Sequence, residues 1–312
     1  MKKRKIIILG AGPVGLIAGW LLSKEKWEVK IFEKNIIVGG MCRSWKWNKF
    51  TVDTGPHIFH TPDKKLWKFW KKHFGHLLVE GKFWAKNTYD ENFSKLYDYP
   101  FSKEGFKNFE PETKSQILKE LKSLKKKSIS KNFQEHVQSQ VGNTLTEMFF
   151  KNYPEKVWGI STKEMTAEWA PKRISFRDKI LPFYNKEKVA VGKYGTGSVY
   201  ECIKKKIDKN QGKFYLNHTV TSIDHSNNQI NKIIFKNGKS IKVDEDTLII
   251  SSLPITLTAR LLGFNSNLKF RGVRTVFISV NKKRVLPKKC NWIYYSSKSV
   301  IFNRISEHKT MT

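Results

Sequence analysis

The chain is short of acid. Its 312 residues carry 27 Asp and Glu against 59 Lys and Arg, a formal net charge of +32 at pH 7. It is also short of cysteine, and Cys42, Cys202 and Cys290 stand far apart with no CxxC pair. That argues against a disulfide framework or a thiolate zinc site and fits a reducing cytoplasm. Past the first residues, no apolar run is long enough to cross a bilayer. Disorder is excluded, because 39% of the residues are hydrophobic and 13% aromatic, enough for a core in one large or two smaller domains. The lysine excess would draw anionic partners. It is spread along the chain, with its densest run at 119–131 in a helix-like region. No recognised nucleic-acid module accompanies it, so the charge reads as a solvated, lysine-biased surface and nucleic acid is not an expected partner.

What is present begins at once. Residues 5–9, Lys-Ile-Ile-Ile-Leu, are an apolar run of strand length. Gly10-Ala11-Gly12-Pro13-Val14-Gly15 follows, then a helix-like stretch at 16–22, then a strand-like run at 28–32 ending in Glu33. Strand, glycine turn, helix, strand and acid in this order make the dinucleotide-binding fingerprint. Gly10 allows the tight turn, Gly12 lets the backbone approach a pyrophosphate, and Gly15 lets the helix pack on the sheet. The helix N-terminus offers N–H groups and a positive dipole end to phosphate. Glu33 stands where a carboxylate can accept bonds from ribose hydroxyls. The basic first residues before an apolar run also suggest a signal peptide, but the glycines and Pro13 fit a spanning helix poorly.

Further blocks follow. Gly39-Gly40-Met41-Cys42-Arg43-Ser44 combines backbone freedom with a planar cation. Residues 50–61 run from a strand into Gly55-Pro56-His57 and on to His60. No third ligand stands near the two histidines, so no metal site is expected. Tyr153, Trp158, Arg173, Arg177 and Tyr184 bring aromatics and cations together. If helical, Arg173 and Arg177 are one turn apart, and such a set can stack a base and clamp phosphates. The glycine turn at 192–197 leads into a helix-like stretch at 198–206 and reads as a plain turn. Strand-like runs follow at 213–216, 220–223 and 230–235, then the hairpin turn Asn237-Gly238, a run at 239–243 and an apolar strand at 247–252. Strands are expected at 273–280, 292–295 and 300–305.

Gly55-Pro56-His57-Ile58-Phe59-His60-Thr61 resembles the flavin-facing motif of the UDP-galactopyranose mutases. These belong to the larger group of FAD enzymes that includes the protoporphyrinogen and amine oxidases. Gly39 to Ser44 is nearer to the oxidase form, GG-x-x-R-[ST], which leaves the branch open. The resemblance implies FAD held by Gly10, Gly12, Pro13, Gly15, Glu33, Lys34, Gly39, Gly40, Arg43, Gly55, Pro56 and His57. It implies Tyr153 stacked on uracil, Trp158 lining the sugar pocket, Tyr184 lining the nucleotide site, and Arg177 beside Arg173 in an Arg-x-x-x-Arg segment. Arg173 and Arg304 would face the diphosphate and, with His57, make up the catalytic set.

The implied fold is α/β. A discontinuous Rossmann-like FAD-binding domain would take residues 1–75 and 190–262. A helical insertion at 76–189 and an antiparallel sheet at 263–312 would form the substrate domain. The family continues past the position of Thr312 with a segment that closes over the flavin. By that resemblance the chain is one half of a split gene, a truncated product or a fragment and is expected to be a poor catalyst alone, with a complementary C-terminal polypeptide or a homo-oligomer as candidate partners. The implied activity is ring isomerisation of a UDP-sugar, in which the reduced flavin N5 attacks the anomeric carbon with no net redox change and no metal. An FAD oxidoreductase on another substrate, a plain NAD(P) enzyme and an inactive nucleotide-binding protein remain open alternatives.

Overall fold

A computed structural model describes residues 4–90, 94–124, 130–172, 174 and 177–311. The chain forms two compact units. The first takes Met1–Phe59, Asp63–Val79 and Ala190–Phe277, and the second takes His60–Pro62, Glu80–Val189 and Ile278–Thr312.

The first unit is built on a parallel sheet. Its strands are β1 (Lys5–Leu9), β2 (Glu28–Phe32), and two that return much later in the sequence, Lys213–Tyr215 and Thr247–Ser251. The order is 213–215, β2, β1, 247–251, all parallel. β1 is aliphatic without alternation because both of its faces are covered. Ile6 and Ile8 face one core cluster with Leu16, Trp20 and Ile203, and Ile7 and Leu9 face another with Ile223, Ile233 and Phe235. Helix α1 (Pro13–Lys24) starts on proline, which fixes the first helical φ and lacks an N–H that would be unpaired there. The hairpin β3 (Ser44–Trp47) and β4 (Phe50–Asp53) follows. Helix α2 (Lys64–Phe74) is N-capped by Asp63, whose carboxylate accepts from the N–H groups of Lys65 at 2.6 Å and Leu66 at 2.9 Å. Helix α3 (Gly197–Lys209) packs beside α1. Strands Val220–Ser226, Gln229–Phe235 and Ser240–Lys242 form an antiparallel meander.

The second unit is helical in its first half, with Pro111–Ser123, Phe133–Leu145 and Asn152–Trp158. An aromatic core of Tyr97, Phe101, Phe106, Phe109, Phe133 and Phe149 holds these helices. Its sheet runs Arg304–Ser306, Trp292–Tyr295, Ala85–Thr88, Tyr97–Tyr99. Neighbours are antiparallel except Trp292–Tyr295 with Ala85–Thr88, which are parallel. No helix among the described residues is long and apolar enough to cross a membrane.

Two expectations need correction. Residues 273–280 form no strand. Thr275 and Phe277 belong to the first unit, where the Thr275 hydroxyl donates to the Thr54 carbonyl at 3.2 Å and Phe277 packs edge to face with Trp45. Val273 and Val276 stay 81% and 75% exposed. The stretch has a strand's alternation without a neighbouring strand to bond. The expected strand at 300–305 forms only as Arg304–Ser306.

Candidate functional site

In the first unit three motifs distant in sequence meet. The turn after β1 needs its glycines for two different reasons. Gly10 has φ +99°, and a Cβ on Gly15 would overlap the Gly10 carbonyl oxygen. Gly12 differs. Its φ is −75°, and a Cβ there would find only the Gly40 Cα, at 3.9 Å. Among the described residues nothing crowds a Cβ at position 12. The space beside it is open, at the N-terminus of a helix with no side-chain cap and no acid in its first turn.

The second glycine loop lies against the first. The Gly39 N–H donates to the Ala11 carbonyl at 2.8 Å, and a Cβ on Gly40 would stand 2.9 Å from the Gly12 Cα. Arg43 closes that loop by donating from Nη1 to the Gly40 carbonyl at 3.1 Å. The Thr54 N–H donates to the Arg43 carbonyl at 3.3 Å, which sets the residue before Gly55-Pro56-His57, just past the β3–β4 hairpin, against Arg43. Among the described residues the buried Nδ1 of His57 has no hydrogen-bond partner. Buried polar atoms of this kind are rare unless something else satisfies them.

Glu33 is buried and already occupied. One oxygen accepts from the Ala11 N–H at 2.8 Å, and the other from the Asn35 N–H at 2.9 Å and the Asn35 amide at 2.6 Å. It holds the first turn in shape and keeps about one acceptor position of its four free. Lys34 is exposed. The residues fit a dinucleotide: an uncapped helix N-terminus, an open cradle at Gly12, an orphaned His57 nitrogen and the Arg43 cation.

In the second unit Tyr153 meets Tyr294 edge to face at 5.1 Å. Tyr294 lies 6.5 Å from Phe183, Phe183 lies 4.8 Å from Tyr184, and Tyr184 lies 4.5 Å from His60. Arg304 pairs with Tyr294 across the antiparallel ladder, so both side chains leave the same face of the sheet. Arg304 is exposed and has no acidic partner among the described residues. The structure thus gathers Tyr153, Tyr184 and Arg304 along one aromatic row. Trp158 stands apart, 41% exposed and edge-on to Trp169.

Arg177 departs from expectation. It is not on a helix, because the helical turn Ala167–Lys172 ends before it and Arg177 bridges to Ser102. Its Nη1 donates to the carbonyls of Leu181 at 3.3 Å and Pro182 at 2.6 Å, and its Nη2 to that of Phe183 at 2.7 Å. Burial lowers its pKa. Arg177 therefore folds the loop that carries Phe183 and Tyr184. Arg173 lies outside the described residues.

Sequence reasoning missed Lys156. Its ammonium donates to the carbonyls of Tyr295 at 3.0 Å, Ser297 at 2.6 Å and Phe302 at 3.1 Å, and burial lowers its pKa. It ties the helix bearing Tyr153 to the strand bearing Tyr294. No local signal marks it, because its partners lie far along the chain.

Residues 8–73 match the NAD(P)-binding Rossmann-like domain family. Over 186 residues the chain is 28% identical to the dTDP-fucopyranose mutase of Escherichia coli, covering 56% of this chain and 48% of that protein. Reduced UDP-galactopyranose mutase has the same fold, with a TM-score of 0.77 at 21% identity over 99% of this chain and 71% of that one. The chain is similar to the nucleotide-sugar mutases and related flavin oxidases. A third relative, the 4,4'-diapophytoene desaturase of Methylomonas sp, is 53% identical, but over only 53 residues, 17% of this chain and 10% of that one. The match to the curated mutase thus spans about half of that protein's length.

Proposed function

We propose that this chain binds FAD and acts as a mutase-like isomerase of a nucleotide sugar, interconverting pyranose and furanose rings. One observation carries the reading. The sequence likeness to a sugar mutase runs over 186 residues, 56% of the chain, whereas the sequence likeness to the desaturase covers 53 residues, 17% of it. The residues of the first unit would hold the cofactor: the α1 N-terminus and Gly12 at the pyrophosphate, Glu33 toward the adenosine ribose, Arg43 and His57 farther along. When bound and reduced, FAD would supply a nucleophilic nitrogen toward the anomeric carbon, with no net redox change. In the second unit Tyr153 would stack on the base, and Arg304, with Arg173, would bind the diphosphate that leaves. A guanidinium fork suits that role because it meets two phosphate oxygens at once.

Two measurements test this. Denaturing the purified protein should release FAD, identified by mass, and release of NAD(P) would overturn the cofactor assignment. UDP should bind the flavin-loaded protein, and Arg304→Ala should weaken it by about tenfold to a hundredfold, one charge-assisted contact being worth about 1.5–3 kcal/mol. Unchanged UDP affinity would overturn the nucleotide-sugar assignment. A second reading, an FAD oxidoreductase on another substrate, is favoured by the 53% identity to the desaturase. It predicts oxygen-consuming turnover without prior reduction of the flavin.

A further inference from the structure

The two candidate sites use only Arg43, Arg173 and Arg304 of the 59 Lys and Arg, and a further group of cations stands together elsewhere in the first unit. Trp20 of α1 is buried, with His73 edge-on at 4.9 Å and Phe74 at 5.6 Å, both from α2. Two ammonium groups stand over this one indole, Lys24 of α1 at 5.8 Å and Lys206 of α3 at 5.6 Å, so they lie within about 11 Å of each other. Lys206 is also 5.9 Å from the Phe74 ring. The cations that act on His73 come from three helices, Lys206, Lys72 and Lys24, and burial together with their field holds its pKa below the ordinary imidazole range. No carboxylate lies within ion-pair distance of any of the three among the described residues. On the same helix α3, Lys204 does have such a partner in Asp208 at 2.7 Å.

Packing of lysine stems over an aromatic ring accounts for two of these side chains. It does not account for three ammonium groups acting on one imidazole with no acid paired to them among the described residues, an arrangement whose mutual repulsion an anion would relieve. We propose that the junction of α1, α2 and α3 is a binding site for a phosphate-bearing group, held by Lys24, Lys72 and Lys206 above Trp20 and His73. Two of the cations stand over one indole and all three act on one imidazole, which suits a compact, multiply charged anion better than an extended strand. Trp20 lies beneath them and cannot stack on a base. A bound anion would offset the lysines' field at His73, so protonation of His73 and anion binding favour each other.

The test uses the full chain carrying Gly12→Val, which removes the phosphate path of the first turn. Inorganic pyrophosphate is titrated while the His73 ring is followed by NMR. The His73 pKa should rise on binding. Lys24→Met and Lys206→Met keep an aliphatic stem over Trp20, and each should weaken binding by about tenfold. In parallel, phosphatidylglycerol and phosphatidylcholine vesicles are compared by sedimentation. A His73 response to pyrophosphate that Lys206→Met weakens assigns a free phosphate ligand. Retention on phosphatidylglycerol alone, lost in both variants, assigns a lipid-borne phosphate. If neither anion engages the protein, or both variants bind as their parent does, the proposal is overturned.

Discussion

Two glycine turns of the first unit lead into helices, residues 10–15 before α1 and residues 192–197 before α3. Their sequences look alike and their helix ends do not. Before α3, Asp53 fills the space: its carboxylate accepts from the Thr196 N–H at 3.1 Å and from the Ser44 hydroxyl. The Ser44 oxygen in turn accepts from the Gly197 N–H at 2.7 Å. A Cβ on Gly195, at φ +87°, would stand 2.6 Å from that same oxygen. At Gly195 the missing Cβ leaves room for the Ser44 hydroxyl and the Asp53 carboxylate. Before α1, Gly10 and Gly15 serve the fold and Gly12 does not. Glycine content therefore does not mark a phosphate site. What marks it is whether the protein already occupies the helix N-terminus.

The sharpest way to break this comparison is to separate the two duties within the first turn. Gly15→Ala drives a methyl into the Gly10 carbonyl, and backbone cannot give way as a side-chain tip can. The variant should lose about 3 kcal/mol or more, read as a drop in denaturant midpoint. At Gly12 a Cβ meets nothing nearer than the Gly40 Cα at 3.9 Å, so Gly12→Val should leave the midpoint within about 1 kcal/mol of the parent. It should instead lose dinucleotide affinity by about a hundredfold or more, read by flavin retention on dialysis. If Gly12→Val unfolds the protein, glycine at 12 is structural and the distinction fails.

The second turn gives the reciprocal experiment. Asp53→Ala leaves the Thr196 N–H buried without its acceptor and should cost about 2 kcal/mol of stability. Flavin affinity per folded molecule should stay within about twofold of the parent. A loss as large as that of Gly12→Val would mean that both turns serve the ligand.

The same contrast explains what could be read from the sequence. The fingerprint of β1, α1 and β2 is local, since spacing along 30 residues fixes which glycine meets which strand. The sequence reads 192–197 as a plain turn, and the carboxylate that sits at it could not be seen there, because Asp53 lies 143 residues from Thr196. In the second unit, residue type was visible and geometry was not. Arg177 carries the expected cation, yet its loop turns three carbonyls onto it. Lys156 reaches partners 139 to 146 residues away, which no local pattern encodes. Residues 273–280 alternate as a strand does, but a strand also needs a neighbour.

The smallest expected effect extends the comparison to a third loop. Glu307 of the second unit does for residues 285 and 286 what Asp53 does for Thr196. Its oxygens accept from the Val285 N–H at 2.9 Å and the Leu286 N–H at 2.8 Å. Burial raises its pKa, but these backbone bonds and the nearby Lys309 outweigh burial, and the net shift is downward. The folded pKa therefore lies below the unfolded value, about 4.3 for Glu. The stability this contributes is complete above the unfolded pKa and is lost as pH falls through the folded one. Glu307→Gln keeps an acceptor and removes the titration. Between about pH 5 and pH 3 the parent should lose up to about 1 kcal/mol relative to this variant, read from paired denaturant midpoints. Parallel pH profiles would mean that the loop at 285–286 does not depend on the charge of Glu307. A protein carboxylate at a cluster of N–H groups would then be a matter of shape alone, and the uncapped N-terminus of α1 would lose its strongest contrast.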